Sequence, residues 1–207
     1  MELTSFWPLR RSYDRFLSEY YQRRHPGVPW LTRDAIELLA DLLLGTDTAL
    51  EWGSGTSTAW LSHKTKSIVS VEHDRGWYER VRSQLAAEGA DPGSVRLESI
   101  EPHNDPSASP YVRVVDEFED GELDFCLVDG MHRAACAHAV LGKLSSGGVL
   151  VVDDAQAVLD HESTSPHSRY GLGPVDAEWA SFAGLVDRWR LMWTSDGYSD
   201  TAFWIKP

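Results

Sequence analysis

At 207 residues and 42% hydrophobic content, the chain can bury one sizeable core, and its length favours a single domain over two. Its 19 basic and 32 acidic residues leave a net charge of −13, which argues against a nucleic-acid or anionic-membrane partner, since both need a basic face. No apolar run approaches the roughly eighteen residues of a membrane span, the opening MELTSFWPLRRSYDRF lacks the apolar core of a signal peptide, and Cys126 and Cys136 fall in patterns that suit packed thiols, so the chain reads as cytoplasmic.

In chain order, residues 1–30 carry Trp7, Tyr13, Phe16, Tyr20 and Tyr21 in helical material expected to cap one end of the fold. Leu31 to Leu44 sets apolar residues at 31, 35, 36, 38, 39, 42 and 43, a helical stripe with Thr32 as N-cap and Gly45 beyond its end. A strand follows at Thr48 to Glu51, then a glycine-rich turn and a helix over Thr58 to His63. SIVSVEHD supplies a β-branched strand from Ile68 to Val71, and Asp74 caps a helix in which Trp77, Val81 and Leu85 recur every four residues before Gly89 and a DPG turn. VRLESI is a third strand, and Leu123 to Asp129 a fourth, apolar enough to be buried on both faces of a parallel sheet. His132 to Leu144 reads as a helix and GGVLVVDD as the fifth strand. The polar segment 156–174 is a long loop, the candidate lid, since loops of that length in a compact domain are either functional or disordered. A helix over Ala177 to Trp189 and the pair RLMWT and TAFWI, joined through SDG, close the chain as a helix and a β-hairpin. The expected architecture is one α/β domain over 1–207, with a mostly parallel seven-stranded sheet ending in an antiparallel hairpin.

Doubly wound sheets bind ligands outside the carboxyl ends of their strands. Here Glu51, Glu72, Ser99 to Glu101, Asp129, and Asp153 with Asp154 close the five strands in turn, and together they outline one acidic cleft. The turn after the first strand, ALEWGSGTSTAWL, has part of a dinucleotide fingerprint: Gly53 and Gly55 fit, and Glu72 lies 19 residues after Gly53. Thr58 stands where the third glycine is expected, and no Gly-Lys-Ser/Thr follows to make a phosphate loop. Glu51, two residues before the first glycine, repels a pyrophosphate and favours a ligand carrying a sulfonium and an ammonium.

On these residues the chain resembles the class I methyltransferases that use S-adenosylmethionine, a Rossmann-like fold. LEWGSGTST is similar to their first motif and VSVEHD to their second, and the likeness runs on through FCLVDGMHRAACAHAVLGKLSSGGVLVVDD. The resemblance implies that Glu51, Gly53, Ser54 and Gly55 line the methionine part of the cofactor. Glu72 and His73 would then take the ribose, and Ser99 and Ile100 the adenine.

Asp129, Asp153 and Asp154 converge if the fourth and fifth strands pair, and three carboxylates at one point need a shared proton or cation. An oxygen-only set suits Mg2+, and the pattern resembles the catechol and caffeoyl-coenzyme A O-methyltransferases, although Asp154 stands where that family has Asn. The other reading has no metal, with Asp129 orienting the cofactor and Asp153 or Asp154 touching substrate. His132, three residues after Asp129, falls where the catechol type has a catalytic lysine, and an imidazole can take a hydroxyl proton at neutral pH. His132 and Asp129 are therefore the catalytic candidates, with His161 and His167 behind them. The implied reaction is methyl transfer to a hydroxyl of a small-molecule acceptor, for which Trp7, Tyr20, Tyr21, Trp30 and Trp179 could form walls. Intramolecular cyclisation of the cofactor and a non-catalytic binding module are the alternatives, and homodimerisation stays open.

Overall fold

Ala49, Leu50 and Trp52 on one strand, Phe125 to Val128 on another and Val149 to Val152 on a third leave almost no polar face, so each strand needs a cover on both sides. A computed structural model of the chain describes residues 7–91 and 93–207, with side chains described from residue 13 onward. Seven strands form one sheet: β1 Thr48–Trp52, β2 Ser67–Glu72, β3 Val95–Ser99, β4 Leu123–Val128, β5 Leu144–Val152, β6 Arg190–Ser195 and β7 Asp200–Ile205. Their order is β3-β2-β1-β4-β5-β7-β6, with β1 to β5 parallel and β7 antiparallel to both neighbours. The order reverses between β1 and β4, which is where a doubly wound sheet opens a crevice.

The helices are α1 Trp7–Arg24, α2 Arg33–Leu42, α3 Thr56–Ser62, α4 Arg75–Ala87, α5 Pro110–Arg113, α6 Arg133–Val140 and α7 Ala177–Val186. Alternation along the strands divides the core. Leu50, Trp52, Cys126, Val128, Leu150 and Val152 face α5, α6 and α7, while Ala49, Phe125, Leu127, Val149 and Val151 face α2 and Leu61 of α3. Both cysteines are buried and unpaired. Among the described residues no helix is long and apolar enough to cross a membrane.

Thr32 caps α2 by accepting from the Ala35 amide, and Asp74 caps α4 by accepting from that of Trp77, as their positions before apolar stripes predict. Three elements differ from expectation. The helix expected over His132 to Leu144 ends at Val140, and Leu144 instead opens β5 opposite Leu123, so the fifth strand begins three residues before GGVLVVDD. α7 stops at Val186, short of Trp189. Residues 106–117 hold α5 between two 3-10 turns, with Tyr111, Val112, Val114 and Val115 all buried. Proline at the first helical position, where its missing N–H costs nothing, starts that short helix.

The long loop is held against the hairpin. Ser165 Oγ donates to Asp200 Oδ1 at 2.5 Å, the Asp200 amide donates to the buried Gln156, and the Arg169 amide donates to the Gln156 carbonyl.

Candidate active site

The turn from β1 into α3 is shaped by its own backbone neighbours. The Gly53 amide donates to the Val71 carbonyl at 2.9 Å, and the Asp129 amide donates to the Trp52 carbonyl at 2.8 Å, which draws the β4–α6 loop against the turn. Gly53 has φ +95°, and a Cβ there would sit 2.7 Å from the Asp129 carbonyl carbon and 2.8 Å from the Gly130 nitrogen. The chain itself requires that glycine. Gly55 differs: its φ of −169° is extended backbone, and the nearest atom to a Cβ would be Ser57 Oγ at 3.5 Å.

Glu51 lies beneath this turn with none of its surface exposed. Its Oε2 accepts from Thr58 Oγ and Ser70 Oγ, both at 2.5 Å, while Oε1 is buried without a hydrogen-bond partner. Burial pushes its pKa up to about 7 against the opposing pull of the hydroxyls of Ser57, Ser70 and Thr58. Glu51, expected to line the ligand, is placed below the cleft rather than in its lining: odd-numbered residues of β1 point toward α3, and the carboxylate serves as the floor of the turn.

Above that floor is a cleft of about 500 Å³ lined by Gly53, Ser54, Gly55, Glu72, His73, Trp77, Asp129 and Met131, among others. Glu72 Oε1 accepts from the His73 and Asp74 amides at 2.8 and 2.7 Å, and its Oε2 takes no hydrogen bond from the described residues. The His73 ring stands edge-on to Tyr111. Trp30 and Trp77 meet across the cleft with ring centroids 6.1 Å apart. Ser99 ends β3 exposed to solvent, and Ile100 packs on the larger core cluster; neither lines this cleft.

A second cavity, of about 590 Å³, adjoins the first through Trp30, Leu31 and Asp129. Ser18, Glu19, Gln22 and Arg23 of α1 form one wall, and Asp153, Asp154, Tyr198 and Ser199 the other. Parallel pairing of β4 and β5, Val128 beside Val152, brings Asp129 level with Asp153, and one oxygen from each of Asp129, Asp153 and Asp154 lies within 4.8 Å of the others. Asp153 is buried and Asp154 adopts a left-handed φ of 51°.

Arg133, which the sequence pattern left unremarked, sits among these three. Its Nη2 donates to Asp129 Oδ1 at 2.8 Å and to the Asp129 carbonyl at 3.1 Å, and Nη1 donates to the Asp153 carbonyl at 2.7 Å and lies 3.5 Å from Asp154 Oδ2. Nε donates to the Gly130 carbonyl. An arginine four residues after an aspartate at a helix start is the signal that could have found it. Burial raises the pKa of Asp129; Arg133 opposes, and Asp154 and Glu72 add to the rise. Asp153 is raised as well, by burial and by Asp129 and Asp154, against the Thr201 hydroxyl that donates to it at 2.7 Å. A carboxylate so placed can take a proton from a hydroxyl near neutral pH.

The other sequence candidates lie elsewhere. His132, with φ 52°, donates its Nε2 proton to the His103 carbonyl at 2.9 Å, tying the start of α6 to the loop after β3, and it lines neither cavity. His161 stacks on Trp193 and His167 is exposed. No residue of 156–174 lines either cavity. Trp179 is buried in the core, Tyr20 and Tyr21 line a groove between α1 and α2, and the Trp7 side chain lies outside the described residues.

A family model described as a methyltransferase domain matches residues 50–155, from the middle of β1 to just past β5. No curated protein matches the chain in sequence. Among solved structures, a Staphylococcus aureus protein assigned as a caffeoyl-CoA O-methyltransferase is similar with a TM-score of 0.61 at 14% identity, over 96% of this chain and 100% of that one. A Streptococcus mutans protein assigned as a methyltransferase, solved in complex with SAH, gives a TM-score of 0.55 at 14% identity, over 86% and 100% of the two chains. An rRNA methylase from Streptococcus thermophilus gives 0.56 at 12% identity, over 84% and 97%. At such identities the likeness speaks to the fold.

Proposed function

The chain belongs to the methyltransferase-domain family as a class I enzyme dependent on S-adenosylmethionine, and from that premise we propose that it transfers the methyl group to a hydroxyl of a small-molecule acceptor, in the cytoplasm. The observation that carries this reading is Asp129, a carboxylate of raised proton affinity in the shared wall of two adjoining cavities. The cleft over the glycine turn fits the cofactor: about 500 Å³ is within the range of small-molecule sites, and Glu72, Asp74 and Asp129 favour a cationic ligand.

S-adenosylmethionine, when bound, supplies a methyl group already activated on a sulfonium. In this reading Gly53, Ser54 and Gly55 let its amino-acid end approach the turn closely, Glu72 accepts from the ribose hydroxyls through Oε2, and His73 lies beside them. Trp30 and Trp77 close over the cleft and exclude water. The acceptor occupies the second cavity, between α1 and the ends of β5 and β7, where Asp129 takes the hydroxyl proton and the rigid strand ends hold the oxygen in line. Arg133 fixes the Asp129 side chain for that task.

The divalent metal of the resemblance does not fit these residues as they stand. Asp129 Oδ1 is bonded to Arg133, Asp153 Oδ1 to Thr201 and Asp154 Oδ1 to Ser199, and Arg133 also faces Asp154 Oδ2. A dication placed there would meet a resident guanidinium.

A separate acceptor is favoured over cyclisation of the cofactor, since cyclisation has no use for a second cavity. A small acceptor is favoured over RNA, since the net charge is −13 and Glu19, Asp129, Asp153, Asp154 and Asp196 line the acceptor cavity against Arg23 alone. The test is incubation with S-adenosylmethionine and a panel of small phenols and polyols. S-adenosylhomocysteine should form only with an acceptor present, and methylthioadenosine formed without one would overturn the reading. In calorimetry Glu72→Ala should weaken S-adenosylhomocysteine binding about thirtyfold, the loss of one or two hydrogen bonds to a charged acceptor; unchanged affinity removes Glu72 from the cofactor site.

A further inference from the structure

We propose that Arg133 is the resident counter-cation of the Asp129, Asp153 and Asp154 cluster, standing where a divalent metal would otherwise sit and making methyl transfer independent of metal. The inference rests on the assignment of this cluster to the acceptor side of a methyltransferase, but its chemistry is that of the cluster alone. Three carboxylates whose facing oxygens lie within 4.8 Å of one another require positive charge or protons between them.

Arg133 answers that need from inside the chain. It begins α6, and all three of its guanidinium nitrogens are engaged at this point: with the Asp129 side chain and carbonyl, the Gly130 carbonyl, the Asp153 carbonyl and the Asp154 side chain. A planar fork with several fixed acceptors is held far more firmly than one surface ion pair. Of the six carboxylate oxygens, Arg133, Thr201 and Ser199 leave only Asp129 Oδ2 and Asp153 Oδ2 without a partner among the described residues. Those two are enough to receive a hydroxyl proton and too few, beside a guanidinium, to hold a dication tightly.

The arginine also spans the gap between the β4–α6 loop and the end of β5, the two segments that frame both cavities. Arg133 is thus a positioning residue: it keeps Asp129 between the two cavities without itself lining the acceptor cavity.

The experiment is Mn2+ binding, read by the loss of the free-ion electron paramagnetic resonance signal, on the protein with neither cofactor nor acceptor. Wild type should bind no Mn2+ at the cluster up to about 1 mM. Arg133→Gln, with the cation removed, should bind it at least about tenfold more tightly, and Asp153→Asn in that background should abolish the binding. Arg133→Lys, which keeps the charge and loses the fork, should exclude Mn2+ as wild type does, a result that a merely structural role for the arginine would not produce. Wild-type binding below about 0.1 mM that Asp153→Asn removes would overturn the proposal, as would Arg133→Gln that binds no better than wild type. Because no cofactor is present, these outcomes stand apart from the methyltransferase reading, which is judged by acceptor-dependent formation of S-adenosylhomocysteine and by the absence of methylthioadenosine. Turnover by wild type should likewise be unchanged after exhaustive chelation.

Discussion

Glu51 and Asp129 close neighbouring parallel strands, and burial pushes both toward holding a proton, yet the chain treats them in opposite ways. Around Glu51 it places the hydroxyls of Thr58 and Ser70 and seals the carboxylate from any ligand. Around Asp129, which lines both cavities, it places a guanidinium on one oxygen and leaves the other without a partner among the described residues. An acid at a strand end is therefore not one kind of residue. Position relative to the strand end decides: Glu51, held within β1 opposite Leu127, points down to α3, while Asp129 shares that parity but lies one residue past the end of β4 and is free to turn toward the crevice.

The comparison breaks most visibly in turnover. Asp129→Asn keeps the shape and the bond from Arg133 but cannot take a proton, and kcat should fall about a thousandfold, with S-adenosylhomocysteine affinity within about threefold of wild type. Glu51→Gln should leave kcat within about fivefold, since that carboxylate reaches no reacting atom. Equal losses at the two positions would erase the distinction. The next effect is on folding. Gly53→Ala forces a side chain into positive φ and against the backbone of Asp129 and Gly130, and unfolding in denaturant should show a loss of about 3 kcal/mol or more.

How far this was legible in the sequence depends on what sets each feature. The sheet, its parallel core and the closing hairpin follow from apolar runs and turn residues, which are local signals. Capping by Thr32 and Asp74 is local too. The convergence of Asp129, Asp153 and Asp154 follows once adjacent strands are paired. The fate of Glu51 and His132 does not, because it depends on which way a side chain leaves the backbone. His132 adopts a left-handed φ at the start of α6, and its ring bonds the His103 carbonyl and lines neither cavity. Arg133 is harder to read than that same histidine: an i, i+4 spacing from Asp129 is common to ordinary surface ion pairs, and only strand pairing brings Asp153 and Asp154 to the same guanidinium. The helix over 132–144 was overextended because Leu141 and Leu144 continue an apolar period, while pairing of Leu144 with Leu123 pulls the chain into β5.

A smaller and pH-dependent effect tests Glu51 directly. Its pKa of about 7 in the folded chain lies above the ordinary 4.5, so the native state binds the extra proton between those values. Stability that is present below pH 4.5 is then lost as pH rises through 7, by up to about 3 kcal/mol for a carboxyl with no solvent exposure. Glu51→Gln removes this loss, and its amide places a donor near the position of the unpartnered Oε1. Unfolding measured from pH 4 to pH 8 should show the variant gaining on wild type across that window, and parallel curves would mean that Glu51 is ionised throughout.

The mildest change distinguishes the chain's own demands from those of its ligand. Gly53 and Gly55 look alike in the motif, but the protein requires only the first. A methyl group at Gly55 meets nothing closer than 3.5 Å and needs no unusual φ, so Gly55→Ala should unfold within about 1 kcal/mol of wild type. Gly55 nevertheless lines the cleft over the turn, and under the proposed reading the added methyl takes space from the cofactor. Calorimetry should therefore find S-adenosylhomocysteine bound about tenfold more weakly, about 1.4 kcal/mol. If affinity holds while stability also holds, nothing approaches Gly55 closely, and the cofactor lies away from the turn, with Glu72 as its only anchor in the first half of the sheet.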